Sequence, residues 1–140
     1  MRIEKKIMQN KIVIDTCVLF NYAKYGKLYR IADAVFTYDL EIYVDKYLMS
    51  EIVRNARKVT DNVLISRKIE HDIRQFTYQV NTIPLFSKSP DPKDNFLFDL
   101  ALQTNSEVIV TKEKALLSFS ESPIPIHDIK WFKEKFPVEL

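Results

Sequence analysis

The chain has 140 residues, 46% of them hydrophobic and 29% charged, with 21 basic against 19 acidic side chains and a formal net charge of +2. That balance lies near the globular average, away from the disordered and membrane classes, and is too even to announce a polyanionic partner by itself. A single glycine, Gly26, excludes P-loops, dinucleotide-binding glycine motifs and GxSxG elbows, while two distant histidines and one cysteine leave neither a zinc cage nor an internal disulfide.

A chain of this length suits one domain, 1–140, able to bury roughly two-thirds of its unfolded surface. Residues 1–10 are expected to form a flexible or peripheral segment. The N-terminal stretch is basic, but its apolar run is short and Asp15 interrupts it, so neither a signal peptide nor a membrane span is expected. A lone Cys17 agrees with a cytoplasmic home.

"KIVID" (11–15) reads as a buried strand ending in an acid, and "TCVLFNYAKYG" as a helix stopped at Gly26. A second helix over 27–38 places Leu28, Ile31, Val35 and Phe36 near helical spacing. "LEIYV" (40–44) is a strand, and 45–59 a helix with Asp45 as N-cap. The next segment sets Ile65, Ile69, Ile73, Phe76 and Val80 on one helical stripe. "NTIPLF" (81–86) offers a short extended segment, followed by a loop over 87–93 rich in Ser, Pro and Asp. Then come a helix over 94–105, a strand at "EVIV" (107–110), a short helix from 112, a Pro-containing edge strand at "IPIH" (124–127) and a final helix through Trp131 and Phe136. Apolar strands alternating with helices predict an α/β fold: a central, mostly parallel sheet with helices on both faces.

In such sheets the functional crevice lies beyond the carboxyl ends of the strands. Asp15 stands at one such end, and Thr111 to Glu113 follow another. With Glu51 and Asp94 these acids could project toward one edge, where clustered carboxylates repel unless a hard divalent cation joins them. A cation held there can orient a phosphodiester and lower the pKa of a bound water. Each acid also has a plainer role: Asp94 as a helix cap, Glu51 paired with Arg54 or Asn55, and Glu113 as a surface charge between Lys112 and Lys114.

In order, "IVIDTCVLF", "LMSEIVRNA", "DPKDNFLFDLALQTNSEVIVTKEKALL" and "IPIHDIKWF" resemble the PIN domain, and within it the VapC-like toxins of bacterial toxin–antitoxin pairs. The resemblance implies a single PIN-like domain acting as a metal-dependent endoribonuclease. Asp15, Glu51, Asp94 and Glu113 would be its catalytic acids, holding Mg²⁺ or Mn²⁺ with Asp99 as an additional ligand. Asp99 lies about 140° around a helix from Asp94, so both reach one network only if Asp94 sits at the cap; Asp91 reads as a loop or capping residue. Thr111 and Cys17 would support the metal–water network. The first motif commonly reads DTN where this chain has "DTC", and Ala115 stands where the last motif commonly carries a second acid.

The resemblance also implies an RNA substrate, a cognate antitoxin and a homodimer, and no membrane. Arg54, Lys58 and Lys112 are candidate RNA contacts, and Phe20, Tyr22, Tyr25 and Tyr29 candidate partner anchors. The alternative is a catalytically weak or silent PIN-like module that binds RNA or protein. An aspartyl phosphatase would need DxD, and a phosphoreceiver domain an adjacent acid pair; "DTC" supplies neither.

Overall fold

The computed structural model describes residues 10–138. Asn10 begins the first strand, and the rest of the segment expected to be flexible or peripheral lies outside the described residues. The elements run β1 (Asn10–Ile14), α1 (Thr16–Lys24), α2 (Leu28–Tyr38), β2 (Leu40–Val44), α3 (Lys46–Val59), α4 (Val63–Arg74), β3 (Tyr78–Gln79), a 3₁₀ turn (Pro92–Asp94), α5 (Asn95–Gln103), β4 (Val108–Val110), α6 (Lys114–Leu117), β5 (Ile126–His127) and α7 (Ile129–Lys135).

The strands form one five-stranded sheet in the order β3-β2-β1-β4-β5, and every pairing is parallel. In β1, Ile12, Val13 and Ile14 are all buried, as are Val108, Ile109 and Val110 in β4. Successive strand residues face opposite sides, so unbroken burial means that helices cover both faces. The chain builds β1, β2 and β3 in one direction and then returns to add β4 and β5 on the other side of β1. The crevice between β1 and β4 is therefore the point where the winding reverses.

Local chemistry sets the helix ends. Asp45 accepts the Leu48 amide at 2.9 Å and caps α3, while Asp128 accepts the Trp131 amide at 3.0 Å and caps α7. Gly26, with φ +68°, ends the α1 turn, and Asp39 takes the left-handed conformation to pass from α2 into β2 within one residue. Within α2, Leu28 and Ile31 are buried as expected, but Val35 is half-buried and Phe36 is 91% exposed.

Three expectations need correction. The stripe from Ile65 to Val80 is not one helix: α4 ends at Arg74, and Ile65 at its start is exposed. The Thr77 hydroxyl donates to the Ile73 carbonyl at 2.8 Å, taking the acceptor that a continuing helix would have given to the Thr77 amide. Freed from the helix, Tyr78 and Gln79 pair with Tyr43 and Val44 as β3, so the extended segment falls there and not at 81–86. Last, the helix expected over 94–105 is a 3₁₀ turn followed by α5. Thr104 closes α5 by donating its hydroxyl to the Leu100 carbonyl at 2.7 Å.

Candidate metal-binding active site

Asp15 ends β1 with its amide donating to the Val110 carbonyl at 2.8 Å, so the β1–β4 pairing itself sets its position. Its side chain is buried, and Oδ2 accepts from the Thr111 hydroxyl at 2.8 Å and the Cys17 thiol at 3.4 Å. Thr111 is fully buried just past β4, and its Oγ1 also accepts the Glu113 amide at 3.1 Å. One hydroxyl thus ties the first acid to the segment that carries another, across the crevice where the sheet reverses. Burial pushes the Asp15 carboxyl up; the Thr111 and Cys17 hydrogen bonds pull against that, and the Glu113 charge adds to it. The Cys17 thiol is pushed up to about 11 by burial and by the Asp15 charge. It is therefore a neutral donor, serving one oxygen of Asp15 where an amide could serve two groups.

Asp94 stands at the junction of the 3₁₀ turn and α5, yet its side chain makes no capping hydrogen bond. Its Oδ2 is buried without a hydrogen-bond partner, so the side chain is not serving as a plain cap. Burial raises the Asp94 carboxyl to about 7, helped first by the Glu113 charge and then by that of Asp15. Asp91 joins them: oxygens of Asp91, Asp94 and Glu113 lie within 4.8 Å of one another. Asp91 does cap the 3₁₀ turn, accepting the Lys93 amide at 3.0 Å, but its carboxylate also reaches the acidic group. Its only ion pair among the described residues is with Lys93 at 3.9 Å, too long and exposed to neutralise the cluster.

Glu51 projects from α3 toward the same edge and accepts the Thr16 hydroxyl at 2.9 Å, next to Asp15 in the chain. It makes no ion pair with Arg54 among the described residues. Asp91, Asp94 and Glu113 thus meet directly, Asp15 is tied to the Glu113 segment through Thr111, and Glu51 is linked through Thr16. Asp99 is not among the acids within 4.8 Å of one another. Its buried Oδ1 accepts the Leu85 and Phe86 amides at 3.0 and 2.8 Å and approaches the Gln103 amide group at 3.4 Å. That oxygen anchors the segment entering the acidic loop. Arg54, Lys58 and Lys112 are exposed, without acidic partners among the described residues.

Sequence reasoning passed over Asp91 and Thr16. Asp91 was readable only as a cap because its proximity to Glu113 depends on the 3₁₀ turn. The signal for Thr16 was its place beside Asp15 on a helix packed against α3.

The donor set consists of hard carboxylate oxygens, with one buried carboxylate oxygen lacking any partner and the group's charges unrelieved. These properties fit a divalent cation of the Mg²⁺ or Mn²⁺ type and fit thiophilic metals poorly. A protein-family model described as PIN domain matches residues 11–115, a span that includes all five of these acids. No curated protein matches the chain.

Proposed function

The chain belongs to the PIN domain family, and from that premise we propose that it is a metal-dependent endoribonuclease that hydrolyses RNA phosphodiesters as the toxin of a VapC-like toxin–antitoxin pair. The observation that carries the nuclease reading is the gathering of Asp91, Asp94 and Glu113 oxygens within 4.8 Å of one another, with a buried oxygen of Asp94 lacking a partner and the Asp15 charge near enough to help raise the Asp94 carboxyl. Asp94, Glu113 and Asp15 would hold Mg²⁺ or Mn²⁺, with Asp91 at the rim and Glu51 beside it. A bound cation would supply a nucleophilic hydroxide at neutral pH and neutralise charge on the phosphate.

This chain's own groups do the rest. Thr111 and Cys17 orient Asp15 and oppose the rise that burial imposes on its carboxyl, because hydrogen bonds to a carboxylate favour its charged form. Thr16 holds Glu51 at the edge, where one carboxylate can receive a proton from water. Lys112 and Arg54, both exposed, would contact phosphates.

The toxin reading is supported by the order of the sequence motifs and by an exposed aromatic surface. Tyr25 and Tyr29 are 62% and 51% exposed, whereas Phe20 and Tyr22 are half-buried. An antitoxin helix or a second copy of the chain in a homodimer would cover the exposed pair. Among the described residues no helix is long and apolar enough to cross a membrane, and we place the activity in the cytoplasm.

The test compares wild type with Asp15→Asn and Asp94→Asn on a mixed RNA pool, with manganese and with EDTA. Cleavage that needs the metal and both acids is expected. RNA retained intact by wild type in manganese would leave the silent-module reading, which Cys17 and Ala115 favour by departing from the usual motifs. For the toxin reading, induced expression should arrest bacterial growth and Asp15→Asn should not.

A further inference from the structure

Two aromatic side chains outside the α1–α2 surface neighbour the acids along their helices. Tyr47 lies one helical turn before Glu51 on α3, and Phe96 lies two residues after Asp94 on α5. Their rings meet with centroids 6.4 Å apart and planes tilted by 47°. Tyr47 stays 47% exposed despite this contact, and Phe96 is half-buried beneath it. The Lys46 ammonium rests 5.4 Å from the Tyr47 ring centroid. Tyr47, on a helix that also carries Glu51, thus keeps about half of its surface in water while its ring contacts Phe96.

From Lys46 a groove runs along α3 and is closed by α4 and β3. Lys46, Ser50, Arg54 and Arg57 line it from α3 at helical spacing, and Arg74 faces them from α4. Glu70 is its only acid and is already paired with Arg74 at 2.7 Å. Lys46, Arg54 and Arg57 have no acidic partner among the described residues. Arg54 follows Glu51 by three residues on α3, and Lys46 belongs both to the groove and to the Tyr47 ring contact.

We propose that Tyr47 and Phe96 form a stacking platform for an unpaired base next to the scissile phosphate, and that the α3–α4 groove carries the adjoining phosphates of a single RNA strand. Single-stranded nucleic acids are bound in this way elsewhere, by aromatic faces for bases and a basic groove for the backbone. A duplex is a poor fit, because its bases are already stacked and its backbones are two. The inference rests on the nuclease reading for its choice of RNA, but its test does not need hydrolysis.

The probe is a fluorescein-labelled, single-stranded oligoribonucleotide of about ten nucleotides, titrated in EDTA and followed by anisotropy, with a hairpin duplex alongside. Tyr47→Leu should weaken single-strand binding about tenfold, and Tyr47→Phe should keep it. Arg57→Gln should lower the salt slope of the affinity by about 0.7. Because Tyr47 is exposed, melting temperatures should stay at wild type. Unchanged affinity in Tyr47→Leu, or a duplex bound as tightly as the single strand, overturns the platform. A chain that binds RNA in this manner but hydrolyses none in manganese would defeat the nuclease reading alone. In an active chain, Tyr47→Leu should raise KM far more than it lowers kcat.

Discussion

Asp94 carries the largest electrostatic burden among the acids: its carboxyl is raised from 3.8 to about 7 by burial and by two neighbouring acids. Between those values the folded chain binds a proton there that the unfolded chain has released, so this group makes stability fall as pH rises toward 7. Without metal, the melting temperature of wild type should therefore drop more between about pH 5 and about pH 8 than that of Asp94→Asn, which has no charge to expel. At the upper pH the variant should melt at or above wild type, and a clearly lower melting point would mean that the side chain stabilises the fold as an ordinary cap. Thr111 is the complementary case. Thr111→Val keeps the shape but removes the donor to Asp15 and the acceptor of the Glu113 amide, at a cost of about 1–3 kcal/mol in urea unfolding. Thr111→Ser should recover most of it. Asp15 could be read from the sequence because an acid closing a buried strand requires partners; Asp91 could not, because one capping oxygen and one crevice-facing oxygen look alike in a sequence.

The elements that were legible carry their signals within themselves. Continuous apolar runs produced β1 and β4, alternating burial marks β2 around Glu41, and Asp45 and Asp128 mark the starts of α3 and α7. The illegible element was β3, whose two residues are exposed and owe their conformation to the distant partners Tyr43 and Val44. The hydrophobic spacing through Phe76 and Val80 imitated a helix because both also pack against the core from beyond its end. Asp99 was given to the metal by the family resemblance, while its helical position argued against a network shared with Asp94; because they come from a segment without a sequence pattern of its own, the bonds from the Leu85 and Phe86 amides to the Asp99 Oδ1 were not readable. Its bonds hold Phe86, whose ring stacks on Phe98 at 4.5 Å. Asp99→Ala should lose about 1.5–3 kcal/mol, as for hydrogen bonds to a charged group, and hydrogen exchange should quicken at Leu85 and Phe86. The rise in melting temperature on adding manganese should persist; its loss would restore Asp99 to the ligand set.

At the scale of the whole molecule, the winding order assembles the site. Asp15 and Thr111 are 96 positions apart, and they touch only because β4 returns to pair with β1 after β2 and β3 have been laid down on its other side. The unfolded chain scatters its acids and can bind a divalent ion only weakly, whereas the folded chain gathers them, so the ion should stabilise the fold by mass action. Above its dissociation constant, each tenfold rise in free Mn²⁺ should add about 1.4 kcal/mol to unfolding free energy, and the melting temperature should climb with the logarithm of concentration. EDTA should reverse the rise. Asp94→Asn should flatten it by removing the partnerless oxygen's charge, while Lys58→Gln, on the exposed part of α3, should follow wild type. Because proton and metal compete for the same carboxylate, the climb should also begin at a higher Mn²⁺ concentration at about pH 5.5 than at about pH 8. A melting temperature indifferent to manganese at either pH would mean that the fold gathers these acids for some purpose other than holding a cation.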